Sequence, residues 1–503
     1  MDCATSLSIR TCLAVAAPAL MLSGCISMAP RQSVSDTVER LPEAYAESAD
    51  SGAYRPARWW TAFEDPTLDR LVERTVDENL DIAAAAARVQ RAAAQARLAK
   101  SALFPQVNAE ANASYSDSSL SGSAFGGLGG GGLSRLEIET YTSRLAASYE
   151  LDLFGRNQED LRARRSDAVA ARADLGAVRL TAMAQTIATY FEIVDGRRQI
   201  ELAVRNADVL ADRVERTEDR YRRGLVESFE LYQVRQQLRD VQASLPLREA
   251  ALQATEGQLA ILLGAYPQDA RKALEGPLTP RLVFEPVPAG LPSELLLQRP
   301  DVFAAWQRLE AARHSIGARR AERFPMIRLS GGIGGQAGSP QDAVDFGQNW
   351  AASLASGIVA PILDGGRISA NIAAARATYD ERAAGYASAV LNAYREVTSA
   401  TSDYEEKRQR YRLILAQLAD ADASLDLQAQ RFQSGVGSYI AYLDATLAVQ
   451  RVQSSLSTAA RDVALSRLGV HRALGGDWSG AENVGQASVN GIAERPSDAG
   501  DAK

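Results

Sequence analysis

The chain has 503 residues, 46% of them apolar and 23% charged, so it is long and apolar enough to bury a large core. A formal net charge of −7 argues against a nucleic-acid partner. Beyond the first two dozen residues no apolar run reaches the roughly 18 needed for a transmembrane helix, which excludes a helical membrane protein.

At the N-terminus, Leu13 to Leu22 forms an apolar run too short to span a bilayer but suited to the core of a signal peptide. It ends in Leu22-Ser23-Gly24-Cys25, small residues before a cysteine that resemble the lipobox of bacterial lipoproteins. Residues 1–24 are therefore expected to be removed and Cys25 to carry a covalent lipid, although the leading segment has only Arg10 as a side-chain cation, with Asp2 opposing it. Cys3 and Cys12 would leave with the signal peptide. The mature chain would then form no internal disulfide and no cysteine metal site. Residues 25–58 are polar and aperiodic, a lipidated linker or surface wrap.

From Trp59-Trp60 the composition turns helical. Pro66 suits a first turn, and the pattern continues through Asn79-Leu80-Asp81-Ile82 to about Leu103. After Phe104-Pro105 the period changes to two: Val107, Ala109, Ala111, Ala113 and Tyr115 alternate with polar residues. A Gly/Ser-rich loop spans Ser116 to Ser134, and Tyr141, Ser143, Leu145, Ala147, Tyr149, Leu151 and Leu153 alternate again. This reads as a β-hairpin over about 106–153, with strands long enough for a membrane. Arg156 to Tyr221 contains no proline and is rich in Ala, Leu, Arg and Glu. One uninterrupted helix of about 100 Å is the simplest reading. It carries two apolar rows, Ala168-Ala171-Leu175-Val178-Ala182 and Leu180-Ala184-Ile187-Phe191-Val194, roughly 120° apart. Two seams imply a neighbour on each side. Past Gly224, a helix over 228–263 shows Leu231, Leu238, Leu245, Leu252 and Leu259 in heptad register, with a bend expected at Pro246.

A Pro/Gly-rich joint, residues 265–293, leads to a second set of the same elements over 294–475: a hairpin at about 326–363, a long helix at 367–432 and a shorter one at 438–474. A polar tail, 476–503, follows. Gly155, Arg156, Gly224 and Gly264 pair with Gly366, Arg367, Gly435 and Gly475 at one offset of 211; Asp81, Arg88, Phe104 and Pro105 pair with Asp301, Arg308, Phe324 and Pro325 at 220. Constant spacing with divergent side chains is the mark of an internal duplication of 59–264. Four strands cannot close a barrel, and lipid tolerates no open edge. Several chains must pool their hairpins: two would give eight strands and a filled interior, three would give twelve and a channel. The expected fold is a mixed α/β membrane protein, its barrel of eight or twelve strands pooled from two or three chains and continuing into a helical coiled-coil barrel; the family resemblance set out below implies the trimeric, 12-stranded form.

The combination Trp59-Trp60, Asp65-Pro66, Asn79-Leu80-Asp81, Phe104-Pro105, Leu153-Phe154-Gly155-Arg156, Leu291-Pro292-Ser293, Arg299-Pro300-Asp301, Phe324-Pro325 and Asp364-Gly365-Gly366-Arg367 with the two glycine turns resembles the TolC family of outer-membrane efflux channels. The cysteine makes it most similar to the lipoprotein subgroup serving resistance-nodulation-division pumps. The resemblance implies a homotrimer in outer-membrane lipid, a helical tunnel in the periplasm, a membrane-fusion adaptor and an inner-membrane transporter as partners, and no cofactor beyond the lipid on Cys25. It further implies that Gly224-Leu225-Val226 and Gly435-Val436-Gly437 are adaptor-docking turns and that Asp444 and Glu230 line a closed aperture. Ala441 stands where another gate acid is common. Trp306, where relatives usually carry Glu, implies an altered local contact.

Other chemistry finds no support. A Walker A pattern and a Gly-x-Ser-x-Gly elbow are both missing; Gly331-Gly332-Ile333-Gly334-Gly335 lacks the dinucleotide spacing and suits barrel packing. His314 and His471 have no His, Glu or Cys at ligand spacing and read as packed or surface residues. A duct for type I protein secretion and a lipid-anchored coiled-coil scaffold without a pore are the alternatives to an efflux conduit. The lipobox weighs against the first, and ion conductance separates the second.

Overall fold

The computed structural model describes residues 27–30, 58–119, 135–287, 299–476 and 478. The expected signal peptide, Cys25, nearly all of the linker, Leu291-Pro292-Ser293 and almost all of the tail lie outside the described residues. The elements in order are a 3₁₀ turn at Trp59–Phe63, α1 (Pro66–Glu78), α2 (Leu80–Ser101), β1 (Gln106–Ser119), β2 (Arg135–Leu151), α3 (Arg156–Arg222), α4 (Ser228–Leu262), α5 (Pro267–Ala273), α6 (Pro300–Ala321), β3 (Met326–Ala337), β4 (Trp350–Val359), α7 (Arg367–Gln433) and α8 (Tyr439–Ala473). Helices α3 and α7 are both 67 residues long and α4 and α8 both 35. The heptad leucines of α4 are all buried or half-buried, and the helix continues through Pro246.

The single helix expected from Pro66 to about Leu103 is instead two. Asn79 interrupts it, in extended backbone. Its Oδ1 accepts from the amides of Asp81 and Ile82, at 2.9 and 3.1 Å, and so caps α2, while its Nδ2 donates to the Leu262 carbonyl at 2.9 Å. The joint expected at 265–293 likewise contains one short helix, α5, opened by Pro267 at its first position.

Two compact units make up the chain. One holds residues 91–168 and 307–383 with the described segment 27–30; the other holds 58–90, 169–306 and 384–478 of the described residues. The second contains the main core, in which Trp60, Phe63, Leu68, Leu71, Met183, Ile187, Tyr190, Phe191, Leu259 and Leu274 are buried together. Helix α1 enters it with Leu68, Leu71, Val72 and Thr75, the i, i+3, i+4, i+7 stripe of an amphipathic helix. Asp65 fixes where that helix begins: its Oδ1 accepts from the amides of Thr67 and Leu68, and its other oxygen accepts from the hydroxyl of fully buried Tyr190. Asp65→Ala removes the cap and strands a buried hydroxyl, at a combined cost of about 3 kcal/mol. The expected result is a clearly lower midpoint in thermal unfolding followed by circular dichroism. Tyr190→Phe should cost much less in the Asp65→Ala background than alone; equal costs in both backgrounds would show that the pair is not coupled.

Four helix ends share one closure. Amides of Gly224 and Leu225, Gly264 and Ala265, Gly435 and Val436, and Gly475 and Gly476 turn back onto carbonyls three and five residues earlier, at 2.9–3.1 Å. Gly224, Gly264, Gly435 and Gly475 have φ of +71°, +60°, +75° and +96°, the left-handed conformation this closure requires. At Gly264 a Cβ would also lie 2.4 Å from the Glu78 carbonyl oxygen.

Candidate functional site

The first unit's strands form one antiparallel sheet in the order β1-β2-β3-β4. Its register sorts the side chains. Val107 faces Ala147, Leu145 faces Ile333, and Gly331 faces Leu354, so every residue of the alternating apolar set lies on one side. That side carries Val107, Ala109, Leu145, Leu329, Ile333, Leu354 and Ile358, with Tyr115 and Trp350 toward one end and Tyr149 toward the other. The opposite side carries Asn108, Glu110, Arg144, Ser148, Arg328 and Gln336, with Glu110 and Arg144 ion-paired at 2.8 Å. Leu354 is 89% exposed and Ile333 60%. Exposed apolar area on this scale needs a non-aqueous neighbour. Among the described residues no strand pairs with the outer edge of β1 or of β4. Part of the apolar face is covered by its own chain: Ser143 Oγ donates to the Ala343 carbonyl at 2.6 Å, and Ala343 is buried in the β3–β4 connection.

In the second unit, the turns after α3 and α7 present Leu225 and Val436 at 63% and 73% exposure, with Val226 and Gly437 half-buried behind them. Close by, α3 and α8 are tied by charge. Asp444 pairs with Arg213 at 2.5 Å, the carboxylate half-exposed and the guanidinium largely covered. Tyr439 donates its hydroxyl to Asp212, and that acceptor, with partial burial, raises the phenol's pKa. Arg216 lies 4.9 Å over the Tyr439 ring and 3.5 Å from Asp212. Phe432, Tyr439 and Tyr442 pack together, with ring centroids 5.0 and 5.8 Å apart along the row. Glu230 stands exposed in the first turn of α4 and makes no ion pair among the described residues. The structure thus gives Asp444 a basic partner within its own chain and, among the described residues, gives Glu230 none.

A further site has no precursor in the sequence reading. Glu159, one turn into α3, is completely buried, and it accepts from Ser27 Oγ at 2.7 Å, Arg162 Nη1 at 2.6 Å and His314 Nδ1 at 2.6 Å. Burial alone would raise its pKa, but the His314 and Ser27 hydrogen bonds and the electrostatic pull of His314 and Arg162 outweigh it, and the carboxyl is held below the usual range. His314 is therefore a packed residue with a partner 155 positions away. The other histidine, His471, is stacked on Trp59 at 4.4 Å, and burial assisted by Arg467 pushes its pKa down to about 3. No cluster of His, Cys, Asp and Glu suited to a metal ion occurs among the described residues. Trp306 packs against Tyr386, centroids 5.3 Å apart, the local contact where a Glu was expected.

Comparison with known proteins bears on these arrangements. The family model described as "Outer membrane efflux protein" matches residues 71–265 and 291–476. The chain is 29% identical over 464 residues to the pyoverdine export outer membrane protein OpmQ of Pseudomonas aeruginosa, covering 92% of this chain and 96% of that protein. To its namesake in Pseudomonas putida it is 30% identical, covering 84% and 88%. The cation efflux system protein CusC of Escherichia coli K12 is 28% identical, with coverage of 91% and 97%. Among solved structures, the outer-membrane channel OprN superposes with a TM-score of 0.76 at 26% identity, covering 91% of this chain and all of that one. The CmeC channel of Campylobacter jejuni, at 22% identity, shares the fold with a TM-score of 0.81 over 92% of this chain and 99% of its own.

Proposed function

The chain belongs to the outer membrane efflux protein family and is an outer-membrane efflux channel; from that premise we propose that it is the passive exit duct of a tripartite pump. Three copies contribute four strands each to a 12-stranded barrel, and the helical part lies in the periplasm. The observation that carries this reading is the sheet, apolar on one face and unpaired at both edges among the described residues. A membrane-inserted sheet has to close, and twelve strands leave a lumen where eight do not. Equal helix lengths at the 211-residue offset support descent from one duplicated unit.

Energy comes from elsewhere: an inner-membrane resistance-nodulation-division transporter, coupled through a periplasmic adaptor that grips the turns at Gly224-Leu225-Val226 and Gly435-Val436-Gly437. Cys25 carries the lipid. Asp444, with Glu230, lines the closed aperture. The relatives' names give different cargoes: pyoverdine, cations and, in the toluene efflux pump outer membrane protein TtgI, toluene. A duct selecting little of its own fits that range, with specificity set upstream. Purified protein in planar bilayers should give discrete ionic steps and cross-link to trimers. Material that is monomeric, water-soluble without its acyl group and silent in the bilayer would overturn the assignment. Cys25→Ser is expected to abolish palmitate labelling while leaving assembled channels in the membrane fraction.

A further inference from the structure

We propose that buried Glu159 is the mooring point of the lipid-bearing N-terminus, fixing the acylated cysteine to the base of the two hairpins; this rests on the lipidation of Cys25 proposed above. Four consecutive residues are engaged. Ser27 donates its hydroxyl to Glu159 at 2.7 Å. The Met28 carbonyl accepts from Arg320 at 3.2 Å and the Pro30 carbonyl from Arg313 at 3.3 Å. Between them the Ala29 backbone lies against Gly317, where a Cβ would stand 2.8 Å from the Ala29 nitrogen and 3.1 Å from the Glu159 side chain. Glycine at 317 thus serves two close approaches, of the Glu159 side chain and, closer still, of the Ala29 backbone.

The carboxylate is built to hold. It is wholly buried, a state that a charge sustains only when its oxygens are bonded, and His314 and Arg162 satisfy it from the protein side. What remains is directed at Ser27. Glu159 follows β2 by eight residues and His314 precedes β3 by twelve, so the seat belongs to the segments that flank the strands. Cys25 is two residues from Ser27 in the sequence, and two residues of chain reach at most about 7 Å. The lipid thus starts from a fixed radius beside the barrel strands, not from the end of a loose tether. Glu159 acts here as a positioning residue.

The test uses Ala29→Cys as a reporter in the full-length acylated protein purified in detergent, with maleimide labelling timed under native conditions. Ser27→Ala and Glu159→Gln should each speed labelling about tenfold, the equivalent of one lost hydrogen bond to a charged group. Ser27→Thr, which keeps the hydroxyl, should restore the slow rate. Unchanged labelling in Ser27→Ala would overturn the proposal, and that variant decides alone should Glu159→Gln fail to assemble. Mass analysis of the N-terminal peptide reports acylation separately. An unacylated Cys25 with a slow, Ser27-dependent reporter would remove the lipid reading and leave the mooring intact.

Discussion

Gly334→Val is expected to abolish assembly in the outer membrane. A Cβ at this position would fall 2.1 Å from the Ser143 carbonyl oxygen and 2.4 Å from the Arg144 Cα, both backbone atoms that cannot swing aside. Ser143 and Arg144 lie in β2, and the β2–β3 pairing is the only seam that joins the first hairpin to the second among the described strands. Opening that seam leaves two isolated hairpins, each marginal alone, and an unpaired edge in lipid costs several kcal/mol per orphaned group. The measurement is twofold: loss of the heat-modifiable oligomer on gels, and a drug and metal susceptibility equal to that of the deletion strain. Gly357→Ala is the control, since nothing lies within 4 Å of the added carbon there. Normal oligomer from Gly334→Val would show that the sheet does not close through this register.

The second large effect is expected at Asp444. In the trimer proposed above, three such carboxylates at the aperture would repel one another and hold cations, so Asp444→Asn should raise single-channel conductance and weaken divalent-cation block roughly tenfold. The Arg213 tie adds a discriminating detail. Each carboxylate already has a guanidinium at 2.5 Å, so removing the acid leaves a ring of cations and should move the reversal potential toward anions. Arg213→Ala should move it the other way while also loosening α3 from α8. A reversal potential unmoved by either variant would exclude this pair from the permeation path.

The long elements were legible from the sequence because their signals are local. Helices α3 and α7 announce themselves by the absence of proline over 67 residues, the strands by alternation, and four helix ends by glycines that prove to have positive φ. The break at Asn79 was not legible: both flanks are helix formers, and what ends α1 is an amide side chain that caps α2 while reaching a carbonyl 183 residues away. Glu159 and His314 escaped for the same reason. Each alone reads as a solvated acid and a stray imidazole, and only the fold brings them to 2.6 Å. Counting from Gly435 singled out Asp444 as a candidate, but nothing in its neighbourhood pointed to its partner Arg213, 231 positions earlier.

The two edges of the sheet, unpaired among the described residues, also carry a genetic consequence. If every copy must lend its outer strands to its neighbours, a defective subunit that still docks one edge occupies a place in the ring and spoils the sound copies beside it. Alleles that damage β4 while sparing β1 should therefore be dominant, lowering resistance even in a strain that keeps its own intact gene.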